Sequence, residues 1–187
     1  MSNIKYILKF YSDWHCGSGL VGGAEVDDLV IKDNEGLPYV PGKTIKGLIR
    51  ETVVDFLGLT YGKEIPQEKT EAFYKSFGCA GNGSSDIKGS AFFTNAELGS
   101  DERKWIKDTH TQKFLYGSQA FVKISETGIA VDHSLREMEK VIPCTLEGEI
   151  VDLDEHIVDE VKWGMKAVKR LGADRNRGFG RCEFVVL

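Results

Sequence analysis

The segment from residue 36 to residue 51, GLPYVPGKTIKGLIRE, fixes where the first helix of the chain can begin. Pro38 and Pro41 keep the residues before them out of the helical conformation, and Gly42 then allows the backbone to bend. After the bend, apolar residues recur at three- and four-residue spacing, as on the buried face of an amphipathic helix. These residues are Ile45, Leu48, Ile49, Val53 and Phe56. The pattern predicts an extended approach, a turn and then a helix.

A different side of this predicted helix carries the cations Lys43, Lys46 and Arg50. A helix amino terminus has free backbone N–H groups and the positive end of the helix dipole, so cations beside it form a combination that attracts phosphate. A solvated helix face is an equally common origin of such a stripe. The stripe alone therefore indicates a candidate phosphate site and leaves the solvated face open.

The rest of the chain predicts an α+β protein. Strand-like segments are marked by aromatic and β-branched residues. They cover residues 4–11, 90–98, 146–153 and 181–187, with a short hairpin around 33–36. Asp154 is a good amino cap for a second helix, whose apolar face runs from Ile157 to Leu171 and which Gly172 ends. The order matches the βαββαβ core of a ferredoxin-like, RNA-recognition-motif-like fold, in which two helices cover one sheet face.

Between the predicted strands at 90–98 and 146–153 the chain becomes polar, from about residue 99 to residue 145. We interpret this region as an inserted arm, with a strand at 121–125 and a charged return at 133–140. A chain of 187 residues is long enough for one domain carrying such an insertion.

Composition narrows the class of protein. The net charge of −5 argues against a free-standing nucleic-acid-binding domain, which is usually basic. The cations concentrate in two segments, 43–50 and 166–181, which can meet in space on an acidic protein. No apolar run reaches the length of a membrane span, and nothing near Met1 resembles a secretory signal. We therefore expect a cytoplasmic protein without a membrane partner.

The cysteines Cys16, Cys79, Cys144 and Cys182 are scattered along the chain, without a CxxC pair or a nearby Cys/His cluster. This spacing predicts reduced thiols that are mostly buried, and no structural zinc site is expected.

The second basic segment ends in the loop LGADRNRGFGR, residues 171–181, where glycines alternate with Arg175, Arg177 and Arg181. Glycine lets main-chain N–H groups approach a phosphate, and a guanidinium group can bind two phosphate oxygens at once. The alternative is a tight helix-to-strand turn with solubilising arginines. The presence of this loop together with the first basic segment in one chain favours phosphate binding.

Two further features lie in the first third of the chain. His15 opens a glycine-rich loop, residues 12–23, and a lone histidine is more often structural than functional. Asp27 and Asp28 are adjacent, so in an extended chain at most one carboxylate should face a given groove. A single carboxylate can still hold a divalent ion or polarise a hydroxyl group.

Together these segments resemble the RAMP superfamily of CRISPR-associated proteins, in particular the backbone subunits of type III effector complexes. WHCGSGL and the segment VDDLVIKDNEGLPYVPGKTIKGLIRE are similar to the family's first glycine loop, its aspartate segment and its turn into a basic helix. LGADRNRGFGR is similar to its glycine-rich loop near the carboxyl end. VKISETGIAVDHSLREMEKVIP resembles, more loosely, the arm called the thumb.

The resemblance implies an RNA-recognition-like core that stacks in several copies along a guide RNA, with the thumb pressing into the guide–target duplex. In catalytic members an aspartate supports metal-dependent cleavage of the paired target RNA, and the match places it at Asp27, with Mg²⁺ as the cofactor. Guide-RNA binding would fall to His15, Lys43, Lys46, Arg50, Arg175, Arg177 and Arg181. The implied partners are guide RNA, target RNA and other type III effector subunits, including copies or homologues of this chain.

Three alternatives stay open at this point. The family also contains backbone or capping subunits that bind RNA without cutting it, in which Asp27 would be structural. A guide-processing ribonuclease would use His15 as a general base. A P-loop nucleotide hydrolase is suggested by Gly42, Lys43 and Thr44, but Gly36 lies one residue too far for GxxxxGK[ST].

Overall fold

The computed structural model describes residues 1–20, 26–79 and 88–187, so Gly22 and Gly23 of the first glycine-rich loop lie outside the described residues. The strands are β1 (Ser2–Phe10), β2 (Phe92–Phe93), β3 (Glu97–Leu98), β4 (Tyr116–Phe121), β5 (Arg136–Val141), β6 (Thr145–Leu153) and β7 (Cys182–Val186). The α-helices are α1 (Gly42–Tyr61), α2 (Gln67–Phe77), α3 (Ser100–Asp108) and α4 (Val158–Ala167). Short 3₁₀ turns cover Gln112–Leu115, Glu155–Ile157 and Arg175–Arg177.

The main sheet is built around β1, which pairs antiparallel with β6 on one side and with β7 on the other. Both β2 and β3 pair with the far side of β6. This strand order and the two helical crossovers confirm the predicted α+β, ferredoxin-like βαββαβ core. Alternation along β1 buries Tyr6, Leu8 and Phe10 and leaves Lys5 and Lys9 exposed on the opposite face.

Helices α1 and α4 pack side by side on the buried face of the sheet. The buried face of α1 is formed by Ile45, Ile49, Val53 and Leu57, so Leu57 takes the place predicted for Phe56. Gly164 lets α4 approach α1 closely, because a Cβ atom there would lie 2.7 Å from Thr52 Oγ1. Each fully buried aliphatic side chain contributes about 1.5–3 kcal/mol, so this shared apolar layer carries much of the fold's stability.

The predicted strand 90–98 is interrupted, and the reason lies in the start of α1. After Thr94, which still donates to the Glu149 carbonyl oxygen of β6, the chain turns toward the approach to the helix, and Ala96 exchanges two backbone hydrogen bonds of 2.9 Å with Val40. The Asn95 side chain accepts a hydrogen bond from the Gly42 N–H. A Cβ atom at Gly42 would lie 2.0 Å from the Phe93 carbonyl oxygen, so only glycine fits there.

The second predicted helix is shorter than expected. Asp154 does cap the turn that precedes it, accepting a hydrogen bond from the His156 N–H. The helix ends at Ala167 rather than at Gly172, since Val168 is already extended and Lys169 accepts a hydrogen bond from the Cys182 N–H. The apolar spacing that predicted helix at Val168 and Leu171 is satisfied by burial of both residues in an extended segment beside β7.

The region predicted as an inserted arm contains α3 and the hairpin β4–β5, whose strands form a separate two-stranded sheet. The strand expected at 121–125 ends at Phe121, with one further bridge from Ile124 to Ala130. Helix α3 is fixed to the 33–36 turn, because Arg103 forms ion pairs of 2.8 Å with Asp33 and 2.7 Å with Glu35.

Cys16, Cys144 and Cys182 are free thiols, and Cys16 and Cys182 are buried. Desolvation raises the pKa of each buried thiol to about 12, so both stay protonated at neutral pH. Within the described parts of the chain, no helix is both long and apolar enough to cross a membrane.

Candidate functional site

The loop at 171–181 packs directly against the loop that follows β1. The Ala173 N–H donates to the His15 carbonyl oxygen at 2.9 Å, and the Gly180 N–H donates to the Asp13 carbonyl oxygen at 2.8 Å. Gly172 has φ of +101°, and a Cβ atom there would lie 2.3 Å from the His15 carbonyl oxygen. Gly172 is therefore required for the contact between the two loops, whatever the loop at 171–181 binds.

His15 is enclosed by this packing and is only 1% exposed. Its Nδ1 donates to the Glu139 carbonyl oxygen at 2.6 Å, because a carbonyl can only accept. Nε2 lies 3.3 Å from Asp28 Oδ2, which is an ion pair only when the ring is protonated; the neutral ring leaves Nε2 without a hydrogen bond. His15 thus ties the first loop to β5 and to the aspartate segment, and its burial leaves little of the ring to touch RNA.

Asp27 lies in a cavity of about 230 Å³ between the aspartate segment, β5 and the loop at 171–181. Its backbone N–H donates to the Glu137 carbonyl oxygen, and its Oδ2 accepts from the Glu137 N–H, both at 2.8 Å. Oδ1 has no hydrogen bond to any described residue. The guanidinium-bearing residues Arg136 and Arg177 line the same cavity. One carboxylate oxygen is therefore held in place while the other has no described partner, in a cavity where Arg177 is ion-paired with Asp174 at 3.3 Å and Arg136 has no described ion-pair partner.

Asp28 shares this cavity, contrary to the expectation that at most one of the two aspartates would face a given groove. Their carboxylates nevertheless take different partners, since that of Asp28 lies beside His15 and that of Asp27 is held by the β5 backbone. The Asp28 carbonyl oxygen accepts from the Glu139 N–H at 3.0 Å, which fixes the segment alongside β5. The two carboxylates thus have distinct environments.

A groove of about 470 Å³ lies next to this cavity, because His15 in the groove lining is 3.3 Å from Asp28 in the cavity, and it brings together the basic segments predicted from the sequence. The amino end of α1 contributes Lys43 and Thr44, the first loop contributes Gly17 and Ser18, and the loop at 171–181 contributes Arg175. None of the described carboxylates lies within ion-pair distance of Lys43 or Arg175. Unpaired cations at a helix amino terminus make this groove suitable for phosphate.

The other predicted RNA-binding cations lie elsewhere. Lys46 donates to the Ala91 carbonyl oxygen at 3.0 Å, and its burial lowers the pKa of its ammonium group. The Arg50 guanidinium lies 5.5 Å from the centre of the Phe73 ring on α2. Arg181 contacts Tyr11 at the end of β1. RNA binding by these three residues stays a prediction, and it does not involve the groove.

The cavity residues are suited to a magnesium ion shared with a substrate. Among the described residues, no group of three or more His, Cys, Asp or Glu side chains is arranged so that it could hold a metal ion by itself. Mg²⁺ commonly uses one or two carboxylates, several waters and substrate phosphates. Asp27 with its free Oδ1, and Asp28 beside it, fit that mode and do not form a complete protein cage.

Sequence reasoning missed Arg136 and Glu139. Glu139 accepts hydrogen bonds from the Val30 N–H at 3.0 Å and from Lys32 Nζ at 2.7 Å, so it anchors the aspartate segment to β5. The alternating charges at 133–140 could have indicated a strand. The pairing of that strand with the aspartate segment, more than a hundred positions earlier, is not visible in the sequence.

The fold and the two neighbouring sites define a ferredoxin-like protein with a cationic groove beside an aspartate-lined cavity. The family model of the RAMP superfamily matches residues 7–183, and the chain belongs to this superfamily, which confirms the resemblance seen in the sequence. No curated protein sequence matches the chain.

Solved structures with the same fold come from CRISPR complexes. A chain of the type III-B Cmr-beta complex bound to cognate target RNA has a TM-score of 0.72 at 11% identity, covering 100% of this chain and 97% of that one. A chain of apo Cmr-beta gives 0.73 at 11% identity, covering 99% and 97%. A chain of a type IV-B CRISPR complex gives 0.66 at 12% identity, covering 100% and 90%. The similarity extends over the whole domain.

Proposed function

We propose that this chain is a guide-RNA-binding backbone subunit of a type III CRISPR effector complex, and that it cleaves the paired target RNA at Asp27. One observation carries the proposal: segments far apart in the sequence converge on a single groove, and the Asp27 cavity with its arginines adjoins that groove. Its family membership and the folds of the Cmr-beta chains support the same assignment.

In this proposal the guide backbone lies along the groove, where Lys43 and Arg175 neutralise phosphates. No base needs to be read, because pairing between guide and target supplies sequence specificity. The net charge of −5 is compatible with this role, since Lys43 and Arg175 lie at the groove without a described carboxylate within ion-pair distance.

The cleavage step follows from the free oxygen of Asp27. Its Oδ1 accepts the proton of a target ribose 2′-hydroxyl, and the 2′-oxygen attacks the adjacent phosphorus. The bond to the 5′-oxygen breaks, that oxygen takes a proton from solvent, and the products are a 2′,3′-cyclic phosphate and a 5′-hydroxyl. Arg136 and Arg177 neutralise the charge that develops on the phosphoryl oxygens. A magnesium ion bound with the substrate would add further charge neutralisation.

The test compares Asp27→Asn with the native subunit in the assembled guide complex with Mg²⁺, at equal target-RNA occupancy. Asparagine keeps an acceptor for the Glu137 N–H while removing the charge, so the backbone arrangement is retained. We expect target binding to persist and cleavage by this subunit to fall by about 100-fold or more. Asp28→Asn is the neighbouring control, and unchanged cleavage by Asp27→Asn would show that the aspartate is not catalytic.

A second candidate is a backbone or capping subunit that binds RNA without cutting it. It is favoured by the double hydrogen bond between Asp27 and Glu137, which gives the aspartate a structural role of its own. The same experiment separates the two, because Asp27→Asn would then leave every cut in place, while Asp27→Ala, which loses the Glu137 bond, would lower stability without changing the cuts.

A further inference from the structure

A second cationic surface lies at the end of β1, away from the groove. Tyr11, Lys169, Arg170, Arg181 and Glu183 line a depression of about 430 Å³, which we call the Tyr11 corner. Its walls are fixed by the backbone: the Tyr11 N–H donates to the Arg181 carbonyl oxygen at 2.8 Å, and the Cys182 N–H donates to the Lys169 carbonyl oxygen at 2.9 Å. The corner is therefore part of the folded sheet edge.

The cations of this corner are not neutralised by the protein. Lys9 Nζ lies 5.2 Å and the Arg181 guanidinium 5.9 Å from the centre of the Tyr11 ring. Within the described ranges, no carboxylate lies within 4.0 Å of the charged groups of Lys9, Lys169, Arg170 or Arg181. Arg170 instead donates a hydrogen bond to the Arg175 carbonyl oxygen. By contrast, Arg103 is paired with three carboxylates.

Among the described residues lining the corner, Glu183 is the only carboxylate, and it accepts a hydrogen bond from Tyr11. The Tyr11 hydroxyl donates to Glu183 Oε2 at 2.7 Å, and this bond raises the pKa of the phenol above its ordinary value, so the ring adds no charge. Lys169, Arg170 and Arg181 with Glu183 leave a local charge of +2 in the corner, and Lys9 beside the Tyr11 ring adds a further positive charge, on a protein whose net charge is −5. Such a concentration of unpaired positive charge attracts a polyanion.

The corner and the groove lie on different faces. Lys9 and Tyr11 flank the buried Phe10 on β1, so their side chains point to the sheet face opposite the helices. The groove is lined by the amino end of α1, which packs on the other face. One ligand segment bound in the groove therefore does not occupy the corner as well.

We infer that the Tyr11 corner is a second RNA-binding site, which holds the phosphodiester backbone of single-stranded RNA. RNA is favoured over an acidic peptide because a 46% exposed aromatic ring stands among the cations, and ring stacking with phosphate contact is the usual chemistry of single-strand binding. The inference rests on the proposed function only in that RNA is the ligand of the chain; it adds a site that the groove does not supply.

The experiment measures binding of a fluorescent single-stranded oligouridine of about 12 nucleotides, a length in the range of single-strand binding sites, to the full chain by anisotropy across a salt series. The test variant is Lys169→Ala with Arg181→Ala, which leaves Arg170 and its bond to Arg175 intact. The matched control is Lys162→Ala with Lys166→Ala on α4, which removes the same charge outside the corner. Melting temperatures of both variants verify that each is folded.

Each lost phosphate contact lowers the salt dependence by about 0.7 in log–log slope, so the test variant should lose about 1.4 in slope and bind about 25-fold more weakly at 0.1 M salt. The control should stay close to native. If the test variant binds like the control at every salt concentration, the inference is overturned. It is also overturned if a polyglutamate peptide binds the native chain more tightly than the RNA and loses its binding in the test variant.

A groove variant, Lys43→Ala with Arg175→Ala, separates this inference from the proposed function. If the groove variant alone loses RNA binding, the groove assignment stands and the corner inference fails. If the corner variant alone loses it, the corner inference stands and the groove assignment fails. Loss in both variants supports both, and loss in neither overturns both.

Discussion

Replacing Gly172 with alanine tests the contact between the two loops that build the groove. At φ of +101° a side chain adds backbone strain of about 1–3 kcal/mol. The added Cβ would also lie 2.3 Å from the His15 carbonyl oxygen, so the loops must separate. Separation removes the bond from the Ala173 N–H to His15, worth about 1 kcal/mol. We expect Gly172→Ala to lower the free energy of unfolding by about 2–4 kcal/mol.

Gly178 provides a matched control in the same loop. Its φ of +94° gives similar backbone strain, but a Cβ atom there meets nothing within 4 Å. In urea unfolding, the free energy of unfolding of Gly178→Ala should be at least about 1 kcal/mol higher than that of Gly172→Ala. This difference corresponds to about 2–4 °C in melting temperature. Equal destabilisation of the two variants would refute the conclusion that glycine is needed at 172 for loop contact.

Two further predictions concern charge. Lys75 donates to Asp154 and lowers the pKa of that carboxyl group to about 2, below its value of about 4 in the unfolded chain. The stability that this pair contributes is therefore present above pH 4 and is lost as the pH falls toward 2. Urea midpoints between pH 2 and pH 5 should therefore depend less on pH in Lys75→Met, and parallel curves would contradict the pairing. Lys43→Ala should weaken binding of single-stranded RNA about fivefold at 0.1 M salt. Lys46→Ala should weaken it less, because Lys46 lies outside the groove and donates to the Ala91 carbonyl oxygen; equal losses in anisotropy titrations would contradict this placement.

The sequence was sufficient for features governed by local chemistry. The two prolines and Gly42 located the start of α1, and the 33–36 turn forms because Asp33 Oδ1 accepts from the N–H groups of Glu35 and Leu37. The order of strands and helices followed from such local signals. The convergence of the two basic segments was predicted as well, for Lys43 and Arg175.

The features that the sequence did not predict depend on contacts with residues distant in the chain. Lys46 and Arg50 share a stripe with Lys43, but the chain following α1 returns along that side and takes both as partners. His15 is buried because β5 passes over it, which no local pattern indicates. Helical spacing at Val168 and Leu171 was equally compatible with an extended segment buried beside β7.

The central position of β1 has a consequence for how the protein acquires its ligand. Both neighbours of β1 come much later in the chain, at Thr145–Leu153 and Cys182–Val186. Contacts this distant in sequence form slowly, because loop closure must precede the pairing that rewards it. The loops of the groove are set by the same pairing, so a partly synthesised or partly folded chain has no groove to offer. If RNA binds in the groove as proposed, it must therefore bind after the chain has folded.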